Sequence, residues 1–290
     1  MKRLWYILAL LIFAACDNSY LESDNVEELV VEGWIESGHA PVVLVSSTLE
    51  VSSTPQPVAD ISKHILRYAE VYIEHNGERE YLTARLTDRF AIKNYFTSSS
   101  LRGVPGDTYH LHVKWLDFEA SAVCTIPEPV AIDSIYVEKA IDDTSYVAKM
   151  VFHNDPKDKN LYQTFLRSGQ ESVAYKAVNF TTLDGSLLDS VVVETFTKPM
   201  KPQGSTSGSG TGSQDVHFHP GDTVALKLAT IEYPMYEFWK EFANQANSSG
   251  GVLSAQKNIK GNVNGAIGYW AGYGIDIRDF YLPRCESRQR

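Results

Sequence analysis

Cysteine is scarce, basic residues are outnumbered, and catalytic signatures are missing. Three cysteines in 290 residues are too few for a disulfide-built scaffold, and no Cys-x-x-Cys or Cys/His cluster marks a structural zinc site. Lys plus Arg number 26 against 36 Asp plus Glu, a net charge of -10, which repels phosphate backbones and argues against nucleic acid as a partner. There is no Gly-x-Ser-x-Gly, no His-Glu-x-x-His, no Ser-x-x-Lys set and no Cys-His signature. The Gly-Ser-Thr-Ser-Gly run at 204–208 puts Thr206 where a nucleophile elbow needs serine. No catalytic residue, cofactor or metal is assigned, and the chain reads as a non-enzyme. A hydrophobic content of 43% excludes a disordered tail and is enough for one large or two ordinary domains.

What is present begins with Lys2 and Arg3, an apolar run from Leu4 to Ala15, and then Cys16. At 1.5 Å per residue the run makes about 18 Å of helix, well short of a roughly 30 Å hydrocarbon core. A basic start, a short apolar core and the small residues Ala14 and Ala15 ahead of one cysteine form a lipoprotein signal peptide. Residues 1–15 are therefore expected to be removed, leaving Cys16 as the lipidated first residue. Loss of Lys2 and Arg3 leaves 24 basic against 36 acidic side chains, a net of -12. Acyl chains, not a basic patch, must then hold the protein at the membrane. Residues 16–28 are polar and acidic and read as a tether.

From Leu29 the chain turns to short β-branched and aromatic runs, with period-two spacing in the clearer ones, which predicts a mainly β protein. Residues 29–127 are expected to form an immunoglobulin-like β-sandwich. Within it, Asn76-Gly77 supplies two positive-φ positions for a tight hairpin turn, with the return strand at Glu80–Leu86. Ile126-Pro127-Glu128-Pro129 marks a seam, because two prolines fix φ and remove backbone donors. Residues 128–290 are expected to form a second β-rich domain with another hairpin turn at Asp184-Gly185. One amphipathic helix is expected near 233–247, with Pro234 in its first turn. Its stripe of Met235, Phe238, Trp239, Phe242 and Ala246 reads as core packing. The Gly/Ser-rich stretch between Thr197 and His217 reads as a loop.

Residues with chemistry to offer are few. His110/His112 and His217/His219 each share a strand face, yet neither pair has a third ligand beside it, so both read as structural. Cys124 and Cys285 remain after lipidation; a free buried Cys124 and an exposed Cys285 is the simpler reading than a bridge. Tyr269, Trp270 and Tyr273 sit among glycines near the C-terminus and give the one positive hint of ligand binding, by stacking on sugars or gripping a peptide. Packing of the same rings in the core is the competing reading. Carboxylate pairs for glycoside hydrolysis are defined by separation in space, and the sequence leaves them open.

The order and spacing of LVVEGWI, AEVYIEHNG, GVPGDTYHLHV, TIPEPVAIDSIYV, GDTVALKLATIEYPMYEFW and NIKGNVNGAIGYW, over about residues 29 to 270, carry a resemblance. The chain resembles the uncharacterised Bacteroidota-type outer-membrane lipoproteins, a domain-of-unknown-function family associated with TonB-dependent, starch-utilisation-type nutrient transporters. The resemblance implies a lipid-anchored outer-membrane protein facing the cell exterior. Its implied partners are a TonB-dependent transporter and that transporter's partner surface lipoprotein, and its implied ligand an oligopeptide or oligosaccharide. It supplies no catalytic residues. A surface adhesin or scaffold suits the expected fold equally, and a surface hydrolase that trims substrates is the third alternative.

Overall fold

The computed structural model describes residues 28–48, 64–88, 93–140, 145–169, 174–197, 217–248 and 259–282. The expected signal peptide, Cys16, the expected tether as far as residue 27, the Gly/Ser-rich residues 198–216 expected to form a loop, and Cys285 lie outside the described residues. Among the described residues the regular structure is strand, apart from one α-helix and short 3-10 turns, so the chain is mainly β as its patterning predicts.

The strands before the seam are β1 (Leu29–Glu36), β2 (Val42–Ser47), β3 (Glu70–His75), β4 (Glu78–Tyr81), β5 (Thr83–Leu86), β6 (Asn94–Thr97), β7 (Thr108–Trp115) and β8 (Phe118–Thr125). After it come β9 (Ile132–Lys139), β10 (Tyr146–His153), β11 (Leu161–Ser168), β12 (Lys176–Asp184), β13 (Val191–Phe196), β14 (Thr223–Ile231), helix α1 (Tyr233–Ser248) and β15 (Ile267–Tyr281). They form an eight-stranded sheet in the order β12-β11-β14-β15-β1-β2-β6-β5, a four-stranded sheet β4-β3-β7-β8 and a three-stranded sheet β13-β10-β9. The large sheet thus takes strands from both sides of the seam. It is mixed, since β1 pairs antiparallel with β2 and parallel with β15.

Period-two alternation in β1 decides what each face meets. Leu29, Val31 and Ile35 are buried in one core with Val71 and Ile73 of β3 and Leu111 and Val113 of β7, so the four-stranded sheet lies against this face. Further along, Tyr162, Leu166, Leu226 and Leu228 form a second core with Met150, Phe152, Val192 and Phe196 of the three-stranded sheet. The opposite face of β1 carries Val30, Glu32, Trp34 and Glu36, none of them fully buried. α1 lies over the far end of that opposite face, where Met235 is fully buried and Phe238 and Trp239 pack with Phe165, Ala229 and Ile231. The helix spans the expected residues, and the stripe from Met235 to Phe242 packs as its spacing predicts.

Turn chemistry is fulfilled at Asn76-Gly77 and overridden at Asp184-Gly185. Asn76 and Gly77 have φ of 52° and 80° and close β3 onto β4, as the two-residue hairpin requires. The return run, however, is two strands. β4 stays with β3, whereas β5 pairs with β6 in the large sheet. The chain changes sheet at Leu82, which is buried and donates its N–H to the Val71 carbonyl at 2.8 Å. Asp184-Gly185 is not a hairpin turn. Asp184 caps a 3-10 turn over Gly185–Leu187, accepting from Ser186 N at 3.0 Å, and the chain crosses from the large sheet to β13 in the three-stranded one.

The glycine-rich C-terminal segment gives no strand signal in its composition, because glycine weakens a strand interior. The structure nevertheless places the 15-residue β15 there, paired along its length with β1 and β14. Its glycines are needed because another backbone lies on them: a Cβ at Gly272 would stand 2.2 Å from the Thr125 carbonyl oxygen, and one at Gly274 2.1 Å from that of Pro127. The seam therefore runs across the middle of β15. It is fastened by Thr125 N donating to Glu232 at 2.8 Å and Ile132 N donating to Asp276 at 2.7 Å.

Candidate functional site

The face of the large sheet that is not covered by the smaller sheets holds a groove of about 1120 Å³. Its floor is Glu32, Trp34 and Glu36 of β1 with Tyr269, Tyr273 and Ile277 of β15. Leu44 of β2 and Tyr95 of β6 stand on one side; Lys227 of β14, Phe165 and Arg167 of β11 and Tyr175 stand on the other, with Trp239 of α1 above. Strand alternation accounts for the set: Glu32 is the register partner of both Tyr269 and Leu44, and Glu36 of Tyr273, so their side chains share one face.

The aromatic residues support one another. Phe165 meets Tyr273 edge-on at 5.8 Å and Trp239 at 6.3 Å, and Tyr269 lies 4.8 Å from Phe238. The Trp239 indole donates to the Tyr273 hydroxyl at 3.3 Å. Enclosure raises the phenol pKa of both Tyr269 and Tyr273, which keeps them neutral. They offer hydroxyl hydrogen bonds and ring faces, not a base.

Three cations line the groove: Lys176 of β12 is exposed, while Lys227 and Arg167 are tied down. Lys227 Nζ bonds Glu36 Oε1 at 2.5 Å and lies 4.6 Å from the Phe165 ring centroid and 4.5 Å from that of Tyr175. Arg167 sits 4.8 Å over Tyr175 and bonds Asp279 at 3.2 Å. Glu32 differs. It has no hydrogen-bond or ion-pair partner among the described residues, is open to solvent within the groove, and burial of its surroundings raises its carboxyl above the ordinary 4.5.

The described lining offers ring faces, hydroxyls and charged groups to a bound molecule. The described lining contains no serine or cysteine. Its two glutamates, four residues apart on one strand, are about 13 Å apart along the backbone.

Of the three aromatic residues singled out in the sequence, the structure brings Tyr269 and Tyr273 into the groove and takes Trp270 out of it. Trp270 points to the opposite face, fully buried in the core with the four-stranded sheet, and its indole donates to the Tyr109 carbonyl at 3.1 Å. Alternation along a strand forces the split. Trp270 is a packing residue.

The other sequence-level candidates lie elsewhere. His112 stacks on Tyr72 with centroids 4.7 Å apart and stands 3.6 Å from Glu74, on the four-stranded sheet. His219 N donates to Asp222 at 2.8 Å in the turn before β14. Cys124 is free and buried, and desolvation pushes its thiol pKa well up. A second cavity of about 650 Å³ surrounds the 153–160 turn, where Tyr162 donates to Asn154 at 2.9 Å and Asn154 to the Gly185 carbonyl at 2.9 Å. Those groups hold the turn together.

Lys227 had a readable signal, a charge inside the otherwise apolar TVALKLATI that must find a partner if the strand is buried. Glu32 had a weaker one, a carboxylate on the non-core face of LVVEGWI.

The fold and the groove define a mainly β protein whose mixed central sheet presents an aromatic, charge-bearing cleft on one face. The chain belongs to the family described as a domain of unknown function (DUF4249), whose model matches residues 18–277. No curated protein matches it. Among the described residues no helix is long and apolar enough to cross a membrane.

Proposed function

We propose that the protein is a cell-surface accessory lipoprotein of a TonB-dependent nutrient-uptake complex, held in the outer membrane by lipid on Cys16. In this reading the groove receives an oligopeptide or oligosaccharide, and the transporter and its partner surface lipoprotein take it onward. The observation that carries the reading is the groove itself. A cleft of about 1120 Å³ walled by Trp34, Phe165, Tyr175, Trp239, Tyr269 and Tyr273 offers ring faces and neutral hydroxyls to an extended oligomer. Its one tightly enclosed cation is neutralised by Glu36, which suits contact better than bond breaking. Lys2, Arg3, the short apolar run and Cys16 support the anchoring.

The test is direct titration of the mature protein with short oligopeptides and neutral oligosaccharides, followed by tryptophan emission, because Trp34 and Trp239 both line the groove. Saturable binding that is weakened at least tenfold by Tyr269→Ala, in a variant that still melts cooperatively, is the expected result. An emission unchanged by every oligomer would contradict the reading.

A further inference from the structure

Of the two carboxylates in the groove, Glu32 is the one without a partner among the described residues; the exposed Lys176 of β12 stands on the far side, with β11, β14 and β15 between them. Lys227 is matched by Glu36 and Arg167 by Asp279, while Glu32 has neither hydrogen bond nor ion pair among the described residues. Glu32 is exposed within the groove, so its charge is available to a bound molecule. The carboxylate stands beside Tyr269 on β15 and Leu44 on β2, its partners in the strand register. Nothing on the core side of β1 requires it, since its neighbours Val31 and Gly33 face that core.

A lone carboxylate flanked by aromatic rings is a receptor for a cation. The carboxylate supplies the counter-charge, and the ring faces of the wall supply the quadrupole attraction that favours ammonium and guanidinium groups over neutral hydroxyls. We propose that Glu32 is the cation-recognising residue of the groove and that the captured oligomer carries an ammonium or guanidinium group. A basic oligopeptide supplies such a group through a lysine or arginine side chain, and an amino-sugar oligomer supplies it on the ring. This inference rests on the groove being the capture site.

The experiment is a titration of the detergent-extracted, lipidated protein and its Glu32→Gln and Glu32→Asp variants with four probes. The probes are an N-acetylated lysine-containing tetrapeptide, the same N-acetylated peptide with glutamate for lysine, a glucosamine tetramer and a neutral glucose tetramer. The expected result is a preference for the lysine peptide or the glucosamine tetramer over its uncharged or acidic counterpart. Glu32→Gln is expected to reduce that preference roughly tenfold or more, the usual effect of removing one side of a charged hydrogen bond. Glu32→Asp keeps the charge and should retain the preference, which separates charge recognition from packing. Which cationic probe wins identifies the source of the charge. Equal binding of charged and neutral probes, or a preference that survives Glu32→Gln, would overturn the inference while leaving the groove as the capture site. Binding of no probe would overturn both.

Discussion

Lys227 and Glu36 are 191 residues apart in the chain and 2.5 Å apart in space. The bond joins β14 to the end of β1, across β15 and across the seam, with the two side chains only 6% and 12% exposed. Removing either partner leaves an enclosed charge unanswered. Lys227→Ala is expected to cost about 3 kcal/mol, read as a lower midpoint in urea. The double variant Lys227→Met with Glu36→Gln should recover most of the loss, because it removes both charges.

Gly33 and Trp270 are register partners on the core face, and a Cβ at Gly33 would stand 2.8 Å from the indole Cε3. The ring has no freedom to retreat, being fully buried and hydrogen-bonded to the Tyr109 carbonyl. Gly33→Ala should therefore destabilise by about 1–3 kcal/mol through overpacking, and Trp270→Ala by about 3–5 kcal/mol through loss of a large core side chain. Neither should change the oligomer affinity of the folded fraction, since both lie on the far side of the sheet from the groove. Paired denaturation and titration curves check this.

Glu32 has a pH signature with a definite sign. Burial raises its carboxyl above 4.5 in the folded protein, so the folded state binds a proton more readily than the unfolded chain does. Its ionisation therefore costs stability, and that cost grows as pH rises from about 4.5 through the raised value. Glu32→Gln removes the cost: its melting temperature at pH 7 should be equal to or above the parent's, with the difference shrinking below pH 4.5. Binding of cationic probes should run the other way, weakening as acid protonates Glu32. A variant less stable at pH 7 would contradict this sign.

Cys16→Ser tests the anchoring. The expected outcome is protein that fails to acquire lipid and leaves the membrane fraction, checked by mass spectrometry of the mature N-terminal residue. An unmodified Cys16 thiol in the membrane-bound parent would contradict lipidation.

Much of the fold is legible in residue patterning, and most of the site is not. Alternation in LVVEGWI, the positive-φ pair Asn76-Gly77 and the Met235-to-Phe242 stripe are local signals, and local structure obeys them. Leu82 and Asp184-Gly185 mislead because both mark crossings between sheets, which depend on partners distant in sequence. β15 is hidden for the same reason. Its glycines look like loop composition until the carbonyls of Thr125 and Pro127 are seen lying on them. Tyr269 and Tyr273 are findable as aromatic residues, but only the strand's two faces separate them from Trp270. Glu32, Glu36 and Lys227 come together through a parallel pairing of the first strand with the last, a contact that no local spacing encodes.

Participation in a nutrient-uptake complex is tested most directly by gentle detergent extraction of the lipidated protein through a C-terminal affinity tag, with the co-eluting proteins identified by mass spectrometry. The predicted result is near-stoichiometric recovery of a TonB-dependent transporter together with its partner surface lipoprotein. A monodisperse protein eluting alone from membranes in which that transporter is abundant would contradict it.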